Sequence, residues 1–558
     1  GHDDVASLRE QLRAEVRATV DGLDLDDHFY SLTAPTGLGK TLTVLSWLLG
    51  LRERLARERG YLPRVIYCLP FLSIIDQNAS VLRDVLDQPD SRVLVVHHHL
   101  GDSRYRAVEE DGIRLIDPDA GRLLIEGWQS EIVVTTFVQL FATLVNNRSR
   151  PLRRLARLAG AVVVLDEVQT LPARYWSLFE SLAGELAASL GTTFVLLTAT
   201  QPALFPTARP RELVPRPADY FARMRRITLL NESSAPIDLA TLVERVGELV
   251  ERQPTRSVGV VVNTTRSAYD LGSLLASQHA DTHEIVFLSS LVAPIDRLAG
   301  IRRAKEAVDA ARAGVGGRPL MLVSTQVIEA GVDLDLDELI RDLAPLDSVV
   351  QAAGRCNRNG ALSAGGLVHL VRLIDESGRG FAERVYDRVL LDASREVLAG
   401  QTRISEPELA PLVERYFRLL RDRVSMSASL EVLQAARTLL YDAESGPAGR
   451  PVAIADFALI EDEQPSADVF LELDDEAAAA WQDFESARRI TDRHARPRRY
   501  GEIRPRLAPY VISVPRRVLA GNLPFLDGES YHVPRAQLAD YYDRRTGWKL
   551  DPTTHRIW

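Results

Sequence analysis

The segment Ala34-Pro35-Thr36-Gly37-Leu38-Gly39-Lys40-Thr41 limits the fold of this chain more than any other. It is entered from the apolar run 29–32 and left through a helix-like stretch, 42–49. Glycines so placed let consecutive backbone N–H groups turn toward one centre at a helix N-terminus, an arrangement that binds phosphate. In such a loop Lys40 supplies a point charge for the β- and γ-phosphates of a nucleotide, and the Thr41 hydroxyl helps to hold Mg2+. Ala34 stands where the first glycine usually falls. A strand, a phosphate loop and a helix in succession belong to a parallel sheet covered by helices.

The rest of the chain repeats that alternation. Short runs at 65–69, 93–96, 132–135, 162–165 and 194–197 are apolar almost throughout, as strands buried on both faces are. A proline-rich break at 201–231 precedes a second set at 258–262, 285–288, 320–323 and 366–371. Two sheets of one class, in tandem, are therefore expected. From 381 to 440 the apolar spacing turns helical, with Leu409, Leu412, Tyr416 and Leu419 at three- and four-residue intervals. A Gly- and Pro-containing linker at 445–451 opens a last segment of mixed composition. The expected organisation is a first lobe at 1–230, a second at 231–375, a helical extension and linker at 376–452, and a small α+β accessory domain at 453–558. A chain of 558 residues provides core enough for three or four such domains.

The chemistry falls at the ends of the strands. Asp166 and Glu167 follow the run 162–165, Asp166 placed to hold Mg2+ and Glu167 to orient or deprotonate an attacking water. Thr198-Ala199-Thr200 follows the next run, offering small hydroxyls that could couple a phosphate site to a second ligand. In the other half, the segment STQVIEAGVD at 324–333 offers Ser324 and Thr325 toward a backbone, and Gly331 and Asp333 toward a nucleotide. Arg355 and Arg358, in the phrase QAAGRCNR at 351–358, have the i, i+3 spacing of one helical face. Guanidinium groups there can neutralise charge developing on a γ-phosphoryl group.

Composition removes other classes. No apolar run reaches the ~20 residues needed to cross a bilayer, and the first twenty residues are acidic where a signal peptide is basic and apolar. Only Cys68 and Cys356 occur, so neither a disulfide framework nor a cysteine zinc site is indicated, and the expected compartment is reducing cytoplasm. A net charge of −10 argues against a chain that coats nucleic acid non-specifically. His97, His98 and His99 are consecutive, and alternate faces of a strand keep all three from converging on a metal.

In order and spacing these motifs resemble superfamily 2 helicases. The longer phrases RVIYCLPFLSIIDQN (64–78), TTFVQ (135–139), DEVQTLP (166–172) and APLDSVVQAAGRCNRNG (344–360) are similar to the helicase part of the CRISPR-associated helicase–nuclease of type I systems. The resemblance runs from about residue 7 to 373. It implies two RecA-like lobes, an ATP- and Mg2+-dependent motor with Lys40, Asp166, Glu167, Gln351, Arg355 and Arg358 in the catalytic set, and coupling through Thr198, Ala199 and Thr200. It also implies that Pro70, Phe71, Thr135, Thr136 and Gln139 in the first lobe, with Asn263, Thr264, Ser324 and Thr325 in the second, face single-stranded DNA. Contacts of that kind touch phosphate and sugar, so target choice would come from a partner, the guide-RNA surveillance complex of the family. The family's HD-type nuclease is expected as a separate chain or a removed domain. The stretch before the phosphate-loop strand is short, and none of the eleven histidines traces an HD set. An RNA helicase of another superfamily 2 branch and an ATP-gated DNA clamp without processive unwinding are the alternatives. Two arginine-rich stretches, 148–157 and 488–506, could each guide a backbone. Trp481, Tyr541, Tyr542 and Trp548 are expected to pack in a small core rather than to stack on bases.

Overall fold

The computed structural model describes residues 5–70, 72–98, 106–109, 112–115, 118–199, 210–314, 316–329, 331–442, 452–460, 465–493, 495–521, 523–524, 526–527 and 530–550. The chain divides into two compact units, one formed by Gly1–Arg225 with Pro407–Glu461 and the other by Arg226–Glu406 with Asp462–Trp558.

The first unit is built on seven parallel strands: β1 Phe29–Thr33, β2 Val65–Leu69, β3 Leu94–His97, β4 Ile132–Thr136, β5 Val162–Asp166, β6 Thr193–Thr198 and β7 Arg211–Glu212. Their spatial order is β3-β4-β2-β5-β6-β1-β7. Every residue of β2, β4 and β5 is buried, which is why their sequences read as unbroken apolar runs rather than alternating ones. The register sets Cys68 beside Leu165 and Leu165 beside Leu196, so the carboxyl ends of β2, β5 and β6 reach one edge together. β1 pairs with β6 and brings its own end to that edge. The helix Ser427–Arg437 belongs to this unit, where the Ser429 hydroxyl accepts a bond from the Leu178 N–H at 3.2 Å.

The second unit repeats the plan with β8 Ile227–Ile237, β9 Val258–Val261, β10 Glu284–Leu288, β11 Leu320–Ser324, β12 Glu338–Asp342, β13 Gly366–Leu373 and β14 Arg403–Ser405. The order is β10-β11-β9-β12-β13-β8-β14, parallel except for the antiparallel edge pair β8 and β14. Three strands fall outside the apolar runs of the sequence, among them the short edge strand β14. β12 carries Glu338, Arg341 and Asp342, all buried, and β8 continues through Asn231-Glu232-Ser233-Ser234-Ala235-Pro236 with a shift of register there. The proline-rich stretch before it includes β7 and the helix Pro217–Arg223.

A four-stranded sheet, β16-β15-β18-β17, completes this unit, with β15 Ser466–Leu471, β16 Val511–Pro515, β17 Leu526–Asp527 and β18 Ser530–Val533. Trp481, Tyr542 and Trp548 are buried in its core and Tyr541 packs against them, so these aromatics are core residues. The same core includes Leu291 and Ala293 from the segment before the helix Pro294–Ala313. Tyr542 fastens the two parts: its hydroxyl accepts from the Ala293 N–H at 2.8 Å and donates to Asp296 at 3.0 Å. The fold is thus two RecA-like parallel-sheet lobes with a helical segment and a small α+β domain. No helix among the described residues is long and apolar enough to cross a membrane.

Candidate nucleotide and nucleic-acid sites

The phosphate loop leaves β1 at Thr33 and ends in the helix Lys40–Arg59. Gly37 and Gly39 have φ of 84° and 74°, conformations that a side chain would strain, and they wrap the loop around the helix N-terminus. Ala34 lies outside that left-handed region, so its methyl group is tolerated where a glycine is usual. Lys40 is buried, and its ammonium donates to the Ala34 carbonyl at 3.3 Å, folded back over the loop. Thr41 donates to Asn78 Oδ1 at 3.1 Å. Arg9, from the helix Val5–Ala18, donates to the Gly37 carbonyl at 2.8 Å and braces the loop from outside.

Asp166 is the last residue of β5 and is buried beside the loop. Burial, with the Glu167 charge next to it, pushes its carboxyl up to about 6, while the bond from Tyr67 and the charge of Lys40 pull the other way. The Tyr67 hydroxyl donates to Asp166 Oδ2 at 2.7 Å. Glu167 has φ of 53°, an unfavourable conformation for a residue with a Cβ, and the chain there turns sharply into the 3-10 turn Val168–Thr170. That turn swings the buried Gln169 back so that its amide N–H donates to the Glu167 carboxylate while its carbonyl accepts from the Thr198 hydroxyl at 2.8 Å. A single side chain therefore joins the acidic pair to the end of β6. Thr200 lies outside the described residues. Tyr67, Asn78 and Gln169 lie in the phrases 64–78 and 166–172 but, like Arg9, were given no role from the sequence, because each is an ordinary residue type whose role comes only from its neighbours.

The strand-end polar residues of the first unit are largely committed to the protein itself. Thr135 is fully buried and donates to the His97 carbonyl at 2.7 Å. Thr136 caps the helix Phe137–Leu144 by accepting from the Gln139 N–H at 3.1 Å. Pro70 and Gln139 are partly exposed, and Phe71 lies outside the described residues. Gln139 Oε1 accepts from Arg154 at 2.7 Å. Arg154, one member of the arginine stretch 148–157, is itself buried, donates to the Glu126 carbonyl and lies 5.3 Å over the Trp128 ring. His97 accepts from the Trp128 indole N–H at 3.2 Å, and burial with the nearby Arg154 charge pushes it down to about 3. It is held neutral as a packing residue; His99 lies outside the described residues.

In the second unit, Asn263 is buried, donating to Asp342 and to the Leu343 carbonyl, both at 2.7 Å. Thr264 caps the helix Thr265–His279 and is partly exposed. Ser324 is buried and donates to the Leu288 carbonyl at 3.1 Å, and Thr325 is also buried. Gly331 has φ of 77°, and Asp333, half exposed, pairs with Arg358 at 3.2 Å.

The arginine pair is arranged differently from the helical face that its spacing suggested. The helix Leu346–Ala353 carries Gln351 and stops before both arginines. Leu336 N–H bonds to the Arg355 carbonyl at 2.9 Å and Asn357 N–H returns to the Leu336 carbonyl at 2.7 Å, a short bridge that replaces helical bonds. Asn357 has φ of 43° and completes the turn. Arg355 reaches back to the carbonyls of Ile328 at 3.1 Å and Glu329 at 2.6 Å. The turn is anchored by Asp335, which accepts from the Arg358 N–H at 2.6 Å, and by Arg226, which donates to the Arg358 carbonyl at 2.8 Å. Cys356 is buried under it, and a Cβ at Gly366 would lie 2.5 Å from its sulfur, so β13 must begin with glycine. In the other arginine-rich stretch, Arg499 and Arg506 both pair with Asp483.

Two family models match the chain. One described as DEAD/DEAH box helicase covers residues 17–205, and one described as CRISPR-associated nuclease/helicase Cas3, C-terminal, covers 254–361. A CRISPR-associated nuclease/helicase Cas3 from Haloferax volcanii is 28% identical over an alignment that takes in 77% of this chain and 57% of the relative. The chain thus spans little more than half the length of that protein. The crystal structure of T. fusca Cas3 with AMPPNP superposes with a TM-score of 0.66 at 19% identity, covering 95% of this chain and 67% of that one. A chain in a CRISPR RNA-guided surveillance complex, pre-nicking, gives a TM-score of 0.57 at 19% identity, over 93% of this chain and 64% of that one.

Proposed function

We propose that this chain, a relative of the Cas3 nuclease/helicases, is an ATP-dependent translocase and helicase that moves on single-stranded DNA in a type I CRISPR interference system. The observation that carries the reading is the first unit's loop, where Lys40 and the helix N-terminus converge beside Asp166 at the carboxyl edge of the sheet. A nucleotide's β- and γ-phosphates would meet the backbone N–H groups of 36–41 and the Lys40 ammonium there. The oxygen donors Thr41 and Asp166 suit Mg2+, which would neutralise phosphate charge when bound. Glu167, aimed by Gln169, orients or deprotonates the attacking water. From the second unit, Gly331 and Asp333 address the nucleotide, with Gln351 completing the set, and Arg355 and Arg358 neutralise charge on the γ-phosphoryl group. Arg358 pairs with the half-exposed Asp333, and exposed pairs of that kind contribute ~1 kcal/mol or less.

The nucleic-acid path is assigned to the carboxyl edges of the two sheets, where open α/β sheets take their ligands. Pro70, Phe71, Gln139 and Thr264 contact the strand with the main chain around them. Thr135, Thr136, Asn263, Ser324 and Thr325 shape that edge, and the Thr198-Ala199-Thr200 segment couples it to the phosphate site through Gln169. These groups address phosphate and sugar, so sequence is chosen by a guide-RNA surveillance complex that recruits the motor to its displaced strand. A nuclease, as a further domain or a partner, degrades what is unwound.

The test is single-turnover unwinding of a duplex with a single-stranded DNA tail, by the intact chain and by Lys40→Ala. Strand separation that requires ATP and Lys40 is expected. Strand-stimulated hydrolysis without unwinding would leave an ATP-gated clamp, and unwinding that survives Lys40→Ala would remove the phosphate loop from the mechanism.

A further inference from the structure

The second sheet places an arginine where a central strand is ordinarily apolar. Arg341 lies in β12 between β9 and β13 and is 0% exposed. A guanidinium removed from water is retained only when its donors are met, and even then apolar residues of similar volume often serve stability as well. Its terminal nitrogens are fully engaged. One donates to Asn263 Oδ1 at 2.7 Å and to the Asp342 carbonyl at 2.9 Å. The other donates to Glu329 Oε1 at 2.7 Å and to the Tyr386 hydroxyl at 3.1 Å. Its Nε–H finds no partner among the described residues, a further cost carried by this site.

The partners come from separate segments of the candidate site. Asn263 stands just beyond the end of β9 at the assigned nucleic-acid edge. Glu329 follows the 3-10 turn Gln326–Ile328 after β11. The Ser348 hydroxyl, on the helix that carries Gln351, donates to the other oxygen of Glu329. Gln326 donates both to the Asn263 carbonyl at 3.0 Å and to the Tyr386 hydroxyl at 3.1 Å, closing the ring. The main chain of Glu329 is also the acceptor for Arg355, at 2.6 Å. Burial pushes the Glu329 carboxyl up and the Arg341 charge opposes it, so neither group is comfortable without the other.

We propose that Arg341, acting through Glu329, is a positioning residue that ties Asn263 at the nucleic-acid edge to the turn carrying Arg355, so that strand binding sets the placement of the phosphate-directed arginine. A shift of Asn263 draws on the guanidinium, because a buried N–H of Arg341 would otherwise lose its acceptor while the charge stays paired with Glu329. The movement is passed to Glu329, and the Glu329 carbonyl carries the Arg355 guanidinium with it. The inference rests on the motor reading given above.

The readout is the ratio of ATP hydrolysis with single-stranded DNA to hydrolysis without it, for the intact chain, Glu329→Gln and Tyr386→Phe. A fraction of misfolded enzyme lowers both rates equally and leaves the ratio unchanged, which separates coupling from a merely structural role. Glu329→Gln keeps the shape and an acceptor for Arg341 but removes the charge, and the ratio is expected to fall about tenfold, the scale of one charge-assisted hydrogen bond. Tyr386→Phe removes a single hydroxyl and supplies the test if the first variant is insoluble; its ratio is expected to fall less. The proposal is overturned if neither soluble variant lowers the ratio while the intact chain is stimulated. Absence of stimulation in the intact chain itself would overturn the motor reading together with the coupling.

Discussion

Replacing Asp166 by asparagine separates what the nucleotide site costs from what it does. Burial with the Glu167 charge alongside holds this carboxyl at about 6 against an ordinary value of 3.8. Below the ordinary value it is protonated in both the folded and the unfolded chain, and the wild type and Asp166→Asn differ little. As pH rises from about 4 through 6 the unfolded chain releases its proton first, so the wild-type fold loses stability that asparagine retains. A rise of about two pK units, at ~1.4 kcal/mol each, corresponds to about 3 kcal/mol once pH exceeds 7. Asparagine returns part of this, because the Glu167 N–H that now donates to a carboxylate oxygen meets an amide donor while Tyr67 keeps its acceptor. A net gain of about 2 kcal/mol at pH 8 is expected. Denaturant unfolding in nucleotide- and magnesium-free buffer reads it, followed by the fluorescence of the buried Trp47, Trp128 and Trp176 of the first unit. The variant should unfold at higher denaturant at pH 8, with the difference closing toward pH 4. Hydrolysis should fall on the order of 10²-fold or more, since the carboxylate assigned to Mg2+ is gone. A variant equally stable or less stable at pH 8, or a difference indifferent to pH, would refute the reasoning.

Arg355→Ala removes the guanidinium held over the Ile328 and Glu329 carbonyls, and turnover should drop by about 10³ with strand affinity mostly retained; a matching loss of strand affinity in a binding titration would contradict its phosphate role. Gln169→Ala removes the side chain that links the Glu167 carboxylate to the Thr198 hydroxyl, and kcat should fall about tenfold with KM for ATP little changed, measured by steady-state kinetics. Tyr542→Phe leaves the buried Ala293 N–H without its acceptor and should destabilise the second unit by about 1–3 kcal/mol in denaturant melts, while nucleotide binding at the phosphate loop is unchanged.

Much of the fold was legible because fully buried parallel strands have little freedom of composition: β2, β4, β5, β9 and β11 read as continuous apolar runs. β12 was not, since Glu338, Arg341 and Asp342 are polar residues made tolerable inside a sheet by partners distant in sequence, such as Asn263, Glu329 and His369. β8 was hidden by Pro236 and its polar neighbours, which sit where the register shifts. In the candidate site, Lys40, Asp166 and Glu167 were singled out because phosphate-loop chemistry asks for those types at those positions, and the structure sets Lys40 and Asp166 close together. The spacing of Arg355 and Arg358 suggested a helix that the Leu336 bridge overrides, a long-range contact that no local pattern encodes. The buried hydroxyls of Thr135 and Ser324 are the same residue types that an exposed strand path would use, and only burial tells the two apart.

The central claim, that the two units form a motor driven by ATP on single-stranded DNA, is tested most directly by ATP hydrolysis of the intact chain with no polynucleotide, with single-stranded DNA and with single-stranded RNA. The account predicts slow hydrolysis alone, strong stimulation by DNA and little by RNA. Equal stimulation by RNA, or hydrolysis indifferent to either strand, would contradict it.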